Sequence, residues 1–177
     1  MEKQAMEKTQ VILVDEHDQT IGLMEKMEAH RRGLLHRAVS VFVFDGSGRL
    51  LLQQRATHKY HSGGLWTNTC CSHPFPGEDT AVAAARRLEE EMGLSLPLDF
   101  AFSFRYRAVL DNGLTEHELD HVFIGYTDQS PDINPEEAAA YRWISSQALE
   151  KDLAINASSY TAWFKLIYRR AFELINS

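Results

Sequence analysis

Two rhythms of apolar residues run along the chain, a period of two that marks strands and a period near 3.6 that marks helices. "VILVD" (Val11 to Asp15) reads as a strand ending in a polar turn. "RAVSVFVFD" is a strong strand of β-branched and aromatic residues, and "DGSG" turns it into "RLLLQQR". Arg37 to Arg55 is therefore expected to form a β-hairpin. Asp79 to Met92 has helical spacing, with a stop at Gly93. "FAFSFRYRAVL" alternates, "ELDHVFIGYT" is strand-like, and "YRWI" is a short strand. From about Ser158 to Ile175 the helical period returns, with Trp163, Leu166, Ile167, Ala171 and Leu174 as its apolar stripe. Strands dominate the middle, and helices lie between and after them. That order predicts an α+β fold with a mixed or antiparallel sheet. Glycine-rich phosphate loops of the Walker or Rossmann kind are missing.

The chain's 177 residues suit one domain, 1–177, with 1–10 expected to be a flexible tail. Its formal net charge of -7 argues against nucleic acid and anionic membranes as partners. An anionic small substrate would need local basic residues or metal ions. "MEKQAMEKTQ" has no apolar region of the signal-peptide kind, and runs such as "VSVFVF" are too short to span a membrane, so a cytoplasmic location is expected.

Both cysteines, Cys70 and Cys71, sit together in "WTNTCCSHPFPGE". A vicinal disulfide would close almost no loop, which favours a reducing compartment. In extended chain before Pro74, Cys71 and His73 project to one side and Cys70 to the other. On the first helix, Ala81, Ala85, Leu88 and Met92 form the expected buried stripe. Glu91 lies on its border beside Ala84, and Glu90 points to solvent. Arg86–Glu90 and Arg87–Glu91 have ion-pair spacing, and periodicity alone favours that plainer reading. His30 and His36 precede the strong strand, neither on a clear helix. Glu116 and Glu118 share one strand face, with His117 and His121 on the other. Paired carboxylates on one face repel unless a cation or a raised pKa relieves them. If His30, His36, His73, Glu116 and Glu118 converge, three nitrogens and two carboxylates suit Zn²⁺, Mn²⁺ or Fe²⁺. His17, His58, His61, His117 and His121 are set aside as non-ligands.

The ordered set "EAHRRGLLHRAVSVFVF", "LLLQQRA", "WTNTCCSHP", "RRLEEEMGL", "FRYRA", "TEHE" and "AWF" resembles type I isopentenyl-diphosphate isomerases of the Nudix superfamily, from about Val11 to Leu174. Glu78, Arg86, Leu88, Glu90, Glu91, Gly93 and Leu94 fit the Nudix box G-x5-E-x7-R-E-U-x-E-E-x-G-U. Ser72 replaces its first glycine, which bears on the backbone if positive φ is needed there. Arg87 replaces its "RE" glutamate, a departure expected of the isomerases.

The resemblance implies a Nudix-type mixed sheet core flanked by helices, with a C-terminal helix. It implies one divalent ion (Mn²⁺, Zn²⁺ or Mg²⁺) on His30, His36, His73, Glu116 and Glu118. Cys71 would be the catalytic thiol and Glu118 the acid/base on the opposite face, with Tyr106 beside it. Mg²⁺ on Glu91 and the Cys71 carbonyl would meet a substrate diphosphate amid Lys26, Arg55, Lys59 and Arg87. Trp163 would cover the hydrocarbon end. The partner is then a small allylic or homoallylic diphosphate, and the protein a monomer or weak homodimer. Two alternatives are a Nudix hydrolase, which Arg87 disfavours, and a domain held by structural zinc on Cys70, Cys71 and His73, whose spacing is poor for such a site.

Overall fold

A computed structural model of the protein describes residues 9–177. Residues 1–8 of the expected tail lie outside the described residues, whereas Gln10 already belongs to β1 (Gln10–Val14), paired with β2 (Thr20–Glu25). Helix α1 (Lys26–Arg32) follows, then β3 (His36–Phe44), β4 (Leu50–Arg55), β5 (Trp66–Thr67) and β6 (Cys70–Ser72). Helix α2 (Thr80–Met92) leads to β7 (Asp99–Val109), β8 (Thr115–Tyr126) and β9 (Ala138–Ile144). Helix α3 (Ser146–Asn156), a 3-10 turn (Ala157–Ser159) and α4 (Ala162–Ile175) complete the chain. The fold is α+β, with a mixed sheet and a C-terminal helix.

Strand β3 is the centre of the sheet. It pairs in parallel with β8, His36 opposite Glu118 through Phe44 opposite Tyr126, and antiparallel with β6. A strand covered on both faces needs apolar residues at nearly every position, which is why "VSVFVF" runs unbroken. Val39, Val41 and Val43 pack with Cys70 against Ala83, Ala84, Leu88 and Met92 of α2. Phe42 and Phe44 face the other way, into a core with Trp163, Phe164, Ile167 and Phe172 of α4. Along this second face both parallel strands change character. β3 runs from His36 to Phe44 and β8 from Glu116 to Ile124, polar at the start and apolar at the end. The polar groups therefore cluster at one end of a core that is otherwise mainly apolar.

Several sequence expectations need correction. The Arg37–Arg55 segment turns at Asp45–Gly48, but the two strands pair only at Phe44 and Leu50 and then splay apart. β4 finds β9 instead, over Leu50–Arg55, so the turn is a corner of the sheet. His30 does sit on a helix: Glu25 caps α1 by accepting from Met27 and Glu28 N–H, and Gly33 at φ 62° ends it. The buried face of α2 is rotated from the expected one. Ala81 and Ala85 are exposed, whereas Ala83, Ala84, Leu88, Glu91 and Met92 are buried. The C-terminal helix begins at Ala162, and its stripe is Trp163, Phe164, Ile167, Tyr168, Ala171 and Phe172; Leu166 and Leu174 are exposed. The stop at Gly93 holds, with φ 64°, and a Cβ there would meet the Asp132 carbonyl oxygen at 2.6 Å.

Candidate active site

His30 and His36 reach the same point from a helix and a strand. Each ring is tied from behind: His30 Nδ1–H donates to the Lys26 carbonyl at 2.7 Å, and His36 Nδ1–H to that of Leu34 at 2.8 Å. The opposite nitrogens, His30 Nε2 and His36 Nε2, are buried with no hydrogen-bond partner. They face carboxylates, at 3.5 Å from Glu116 Oε1 and 3.4 Å from Glu118 Oε2. His73 Nε2–H donates to Glu118 Oε2 at 2.7 Å, and the Tyr106 hydroxyl donates to Glu118 Oε1. The rings of His30, His36 and His73 lie 4.9 to 5.6 Å apart. A back-bonded imidazole leaves its other nitrogen as a lone-pair donor, the usual arrangement of a metal ligand. These His/Glu groups can hold a metal ion. Burial pushes the Glu118 carboxyl up, but the His36 and His73 rings beside it outweigh that and hold it well below its ordinary range. Burial pushes His73 down to about 4.

Cys71 lies across the same cavity. Asn68 gives both amide hydrogens to backbone carbonyls, of Val41 at 3.1 Å and Cys70 at 2.9 Å, so its oxygen is fixed on the thiol, which donates to it at 3.0 Å. The Trp163 indole N–H donates to Cys71 Sγ at 3.1 Å. Burial, then the charges of Asp120 and Glu91, push the thiol up to about 12. It therefore keeps its proton at neutral pH. Alkylation by iodoacetamide, followed by mass spectrometry, should quicken about tenfold per pH unit from 7 to 10 without a plateau, because only the thiolate reacts; a plateau below pH 9 would contradict this environment. Cys70 faces the opposite way and is buried in the apolar cluster under α2. That orientation removes the structural-zinc alternative, and the metal-capable groups among the described residues contain no cysteine.

A cavity of about 30 Å³ is lined by Ser40, Arg55, Cys71, Glu118, Trp163 and their neighbours. It shares Ser72 and His73 with an open cleft of about 460 Å³. Lys26, Lys59, Arg86 and Arg87 line that cleft against two carboxylates, Glu90 and Glu137. A positive patch thus lies beside the cavity in a chain of net charge -7. Arg55 is separate: it lines the cavity, with its guanidinium 5.4 Å from the Trp163 ring. Glu91 is buried and accepts from Arg87 Nη2 at 2.7 Å and Gln53 Nε2 at 3.3 Å. Arg86 pairs with Glu90 at 3.3 Å, so the helix makes both sequence-expected ion pairs while burying one acid and exposing the other.

A chain of this architecture, with a box helix and a thiol facing a His/Glu cluster, has matching relatives. The NUDIX domain family model matches residues 34–164. An isopentenyl-diphosphate Delta-isomerase of Pectobacterium atrosepticum is 54% identical over 162 residues, covering 92% of this chain and 90% of the relative. The chain belongs to the isopentenyl-diphosphate Delta-isomerases of the Nudix family. Isopentenyl-diphosphate Delta-isomerase 2 of Aromatoleum aromaticum is 56% identical over 154 residues, 87% of this chain and 82% of its own length. Among solved structures, a Deinococcus radiodurans protein superposes with a TM-score of 0.75 at 19% identity, covering 90% of this chain and 98% of that one, a likeness of fold.

Against the Nudix box, Glu78 does structural work here. It receives Arg86 at 2.8 and 2.9 Å and the Phe75 N–H at 2.7 Å, which fastens the loop to α2. Ser72, in place of the box glycine, pairs with Val39 in β6 and is not among the positive-φ residues. No strain follows from the missing glycine. Ser72→Gly should cost about 0.5–1 kcal/mol of stability in urea unfolding, since glycine weakens a strand; a gain in stability would contradict the extended backbone.

Four contributors escaped the sequence reading. Asn68 orients the thiol, and Asp120, pushed well up by burial and by Glu118, accepts from Ser40 at 2.6 Å. The third, Glu137, pairs with Lys59 and, at 3.2 Å, with Arg87. Of these, only Asp120 carried a signal, as the third acid on the Glu116 and Glu118 face. The fourth, His61, set aside on sequence grounds, is buried 3.3 Å from Glu116 Oε1.

Proposed function

We propose that this protein converts isopentenyl diphosphate to dimethylallyl diphosphate by protonation and deprotonation through a carbocation-like intermediate, a step that feeds isoprenoid biosynthesis. The observation that carries the reading is the pairing, in one small cavity, of a thiol that keeps its proton with a carboxylate that does not. Moving the double bond of an unactivated alkene requires one donor and one acceptor on opposite faces, and Cys71 and Glu118 take those roles. Tyr106 holds Glu118 in place through its hydroxyl. The Trp163 ring supports the cationic intermediate without capturing it. The small volume of the cavity leaves little room for the water that would trap the cation.

Lys26, Lys59 and Arg87, in the adjoining cleft, bind the diphosphate and supply anchoring energy remote from the reacting carbons. Arg55, inside the cavity, meets the substrate where its two ends join. A divalent ion, Mn²⁺, Zn²⁺ or Mg²⁺, would be held by His30, His36, His73, Glu116 and Glu118, and Mg²⁺ accompanying the diphosphate by Glu91 and the Cys71 carbonyl. When bound, the first ion would lower the proton affinity of Glu118 and fix its orientation. No helix of the described residues is long and apolar enough to cross a membrane. The reading assigns the protein to the cytoplasm, where a reduced Cys71 persists.

A Nudix hydrolase would need its box carboxylates for metal-activated water. Here Arg87 stands where the box has one of those carboxylates and pairs with Glu90 at 2.6 Å, which favours the isomerase. Purified protein with isopentenyl diphosphate and Mg²⁺, followed by phosphorus NMR, should give dimethylallyl diphosphate with both phosphates retained; release of phosphate or pyrophosphate would overturn the proposal.

A further inference from the structure

We propose that His61 is a fourth imidazole ligand of the His/Glu metal centre, joining His30, His36 and His73. The proposal rests on the metal reading above and extends it to a residue outside that set. His61 is 2% exposed, and its Nε2 is buried without a hydrogen-bond partner. That nitrogen lies 3.3 Å from Glu116 Oε1, the same oxygen that His30 Nε2 faces at 3.5 Å. Glu116 Oε2 is also unpartnered. Two bare imidazole nitrogens and a carboxylate, all buried and all turned toward one another, are a costly arrangement unless a cation lies among them. His30, His61 and Glu116 can hold a metal ion with ligand atoms within 4.8 Å of one another.

The loop that carries His61 is built to present it. Ser62 has φ 52°, an uncommon conformation for a residue with a side chain. Its hydroxyl meets His61 Nδ1 at 3.1 Å, its N–H donates to Asp111 Oδ1 at 3.2 Å, and the next residue, Gly63, sits where a Cβ would meet the Thr57 carbonyl oxygen at 2.5 Å. In the tautomer whose Nδ1–H donates to Ser62, Nε2 is the lone-pair nitrogen. The ring is wedged edge-on against Trp163 at 5.8 Å and Tyr60 at 4.4 Å. Such packing leaves it little freedom to turn away from the cluster.

Four neutral imidazoles and two carboxylates balance one divalent cation in charge and supply six donors. A nitrogen-rich sphere favours Zn²⁺ or Co²⁺ over Mg²⁺, which prefers oxygen. X-ray absorption of the zinc-loaded wild-type protein should therefore fit four imidazoles; three would overturn the assignment to His61, and absence of bound zinc would overturn the metal reading beneath it. In parallel, zinc affinity measured by competition with a chromogenic chelator should fall at least about tenfold in His61→Ala and in His61→Gln. The exposed His58→Ala serves as the control. Affinity equal to wild type in both His61 variants would contradict ligation. So would weaker affinity with an unchanged cobalt(II) absorption spectrum, which would mean that His61 only orients Glu116.

Discussion

Cys71→Ala should lose at least about a thousandfold in kcat, within the span expected when an acid/base group is removed, while Cys70→Ala keeps turnover within about twofold. Both variants lose stability, for different reasons. Cys71→Ala leaves the Trp163 indole N–H without its partner and takes one of two donors from the Asn68 oxygen, which keeps the Thr67 hydroxyl, a cost of about 1–3 kcal/mol. Cys70→Ala opens a small gap in the apolar cluster beneath α2, at about 1 kcal/mol. Steady-state kinetics beside urea unfolding separate the two effects. The decisive comparison is between the neighbours: similar losses of stability with sharply different losses of kcat. Equal turnover in the two variants would sink the assignment of Cys71.

Glu118→Gln should be nearly as damaging to turnover and damaging in a second way. The amide cannot accept the proton that the reaction sheds, so kcat should fall by about 10³ or more. It also faces His36 and His73 without the charge that now draws both rings toward it. Metal uptake should therefore weaken in the same variant, measured by elemental analysis after dialysis. KM for isopentenyl diphosphate should stay within a few-fold, because the diphosphate cleft shares only Ser72 and His73 with the cavity. A variant with normal kcat and depressed affinity for substrate would move Glu118 from the chemistry to binding.

How much of this was legible in the sequence depended on whether a signal was local. The β-branched and aromatic run of β3 announced a strong strand, and alternation in β8 put Glu116 and Glu118 on one face. The direction of the thiol pair was legible as well, because an extended chain alternates its side chains whatever surrounds it. What local pattern could not supply was pairing at long range. β4 leaves β3 after one residue pair because its partner β9 lies over 80 residues on, and no turn signal records that choice. Helix α1 was missed because seven residues are too few for a period to show, and it is held by the Glu25 cap and the Gly33 stop. On α2 the small size of alanine hid the true face. Ala81 and Ala85 are as apolar as Ala83 and Ala84, so spacing could not choose between them, and Glu91 was left at a border when it belongs to the buried side. Resemblance implied a metal set that spacing only allowed, and it passed over His61, whose place beside Glu116 depends on a loop conformation set by Ser62 and Gly63.

The central claim is that a proton enters the alkene from the protein while the diphosphate stays intact. Proton NMR of the purified protein with isopentenyl diphosphate and Mg²⁺ in D2O tests it most directly. The account predicts deuterated dimethylallyl diphosphate, its label taken from exchanged acid/base groups, with no free phosphate; dimethylallyl diphosphate formed without deuterium, or phosphate released in its place, would contradict it.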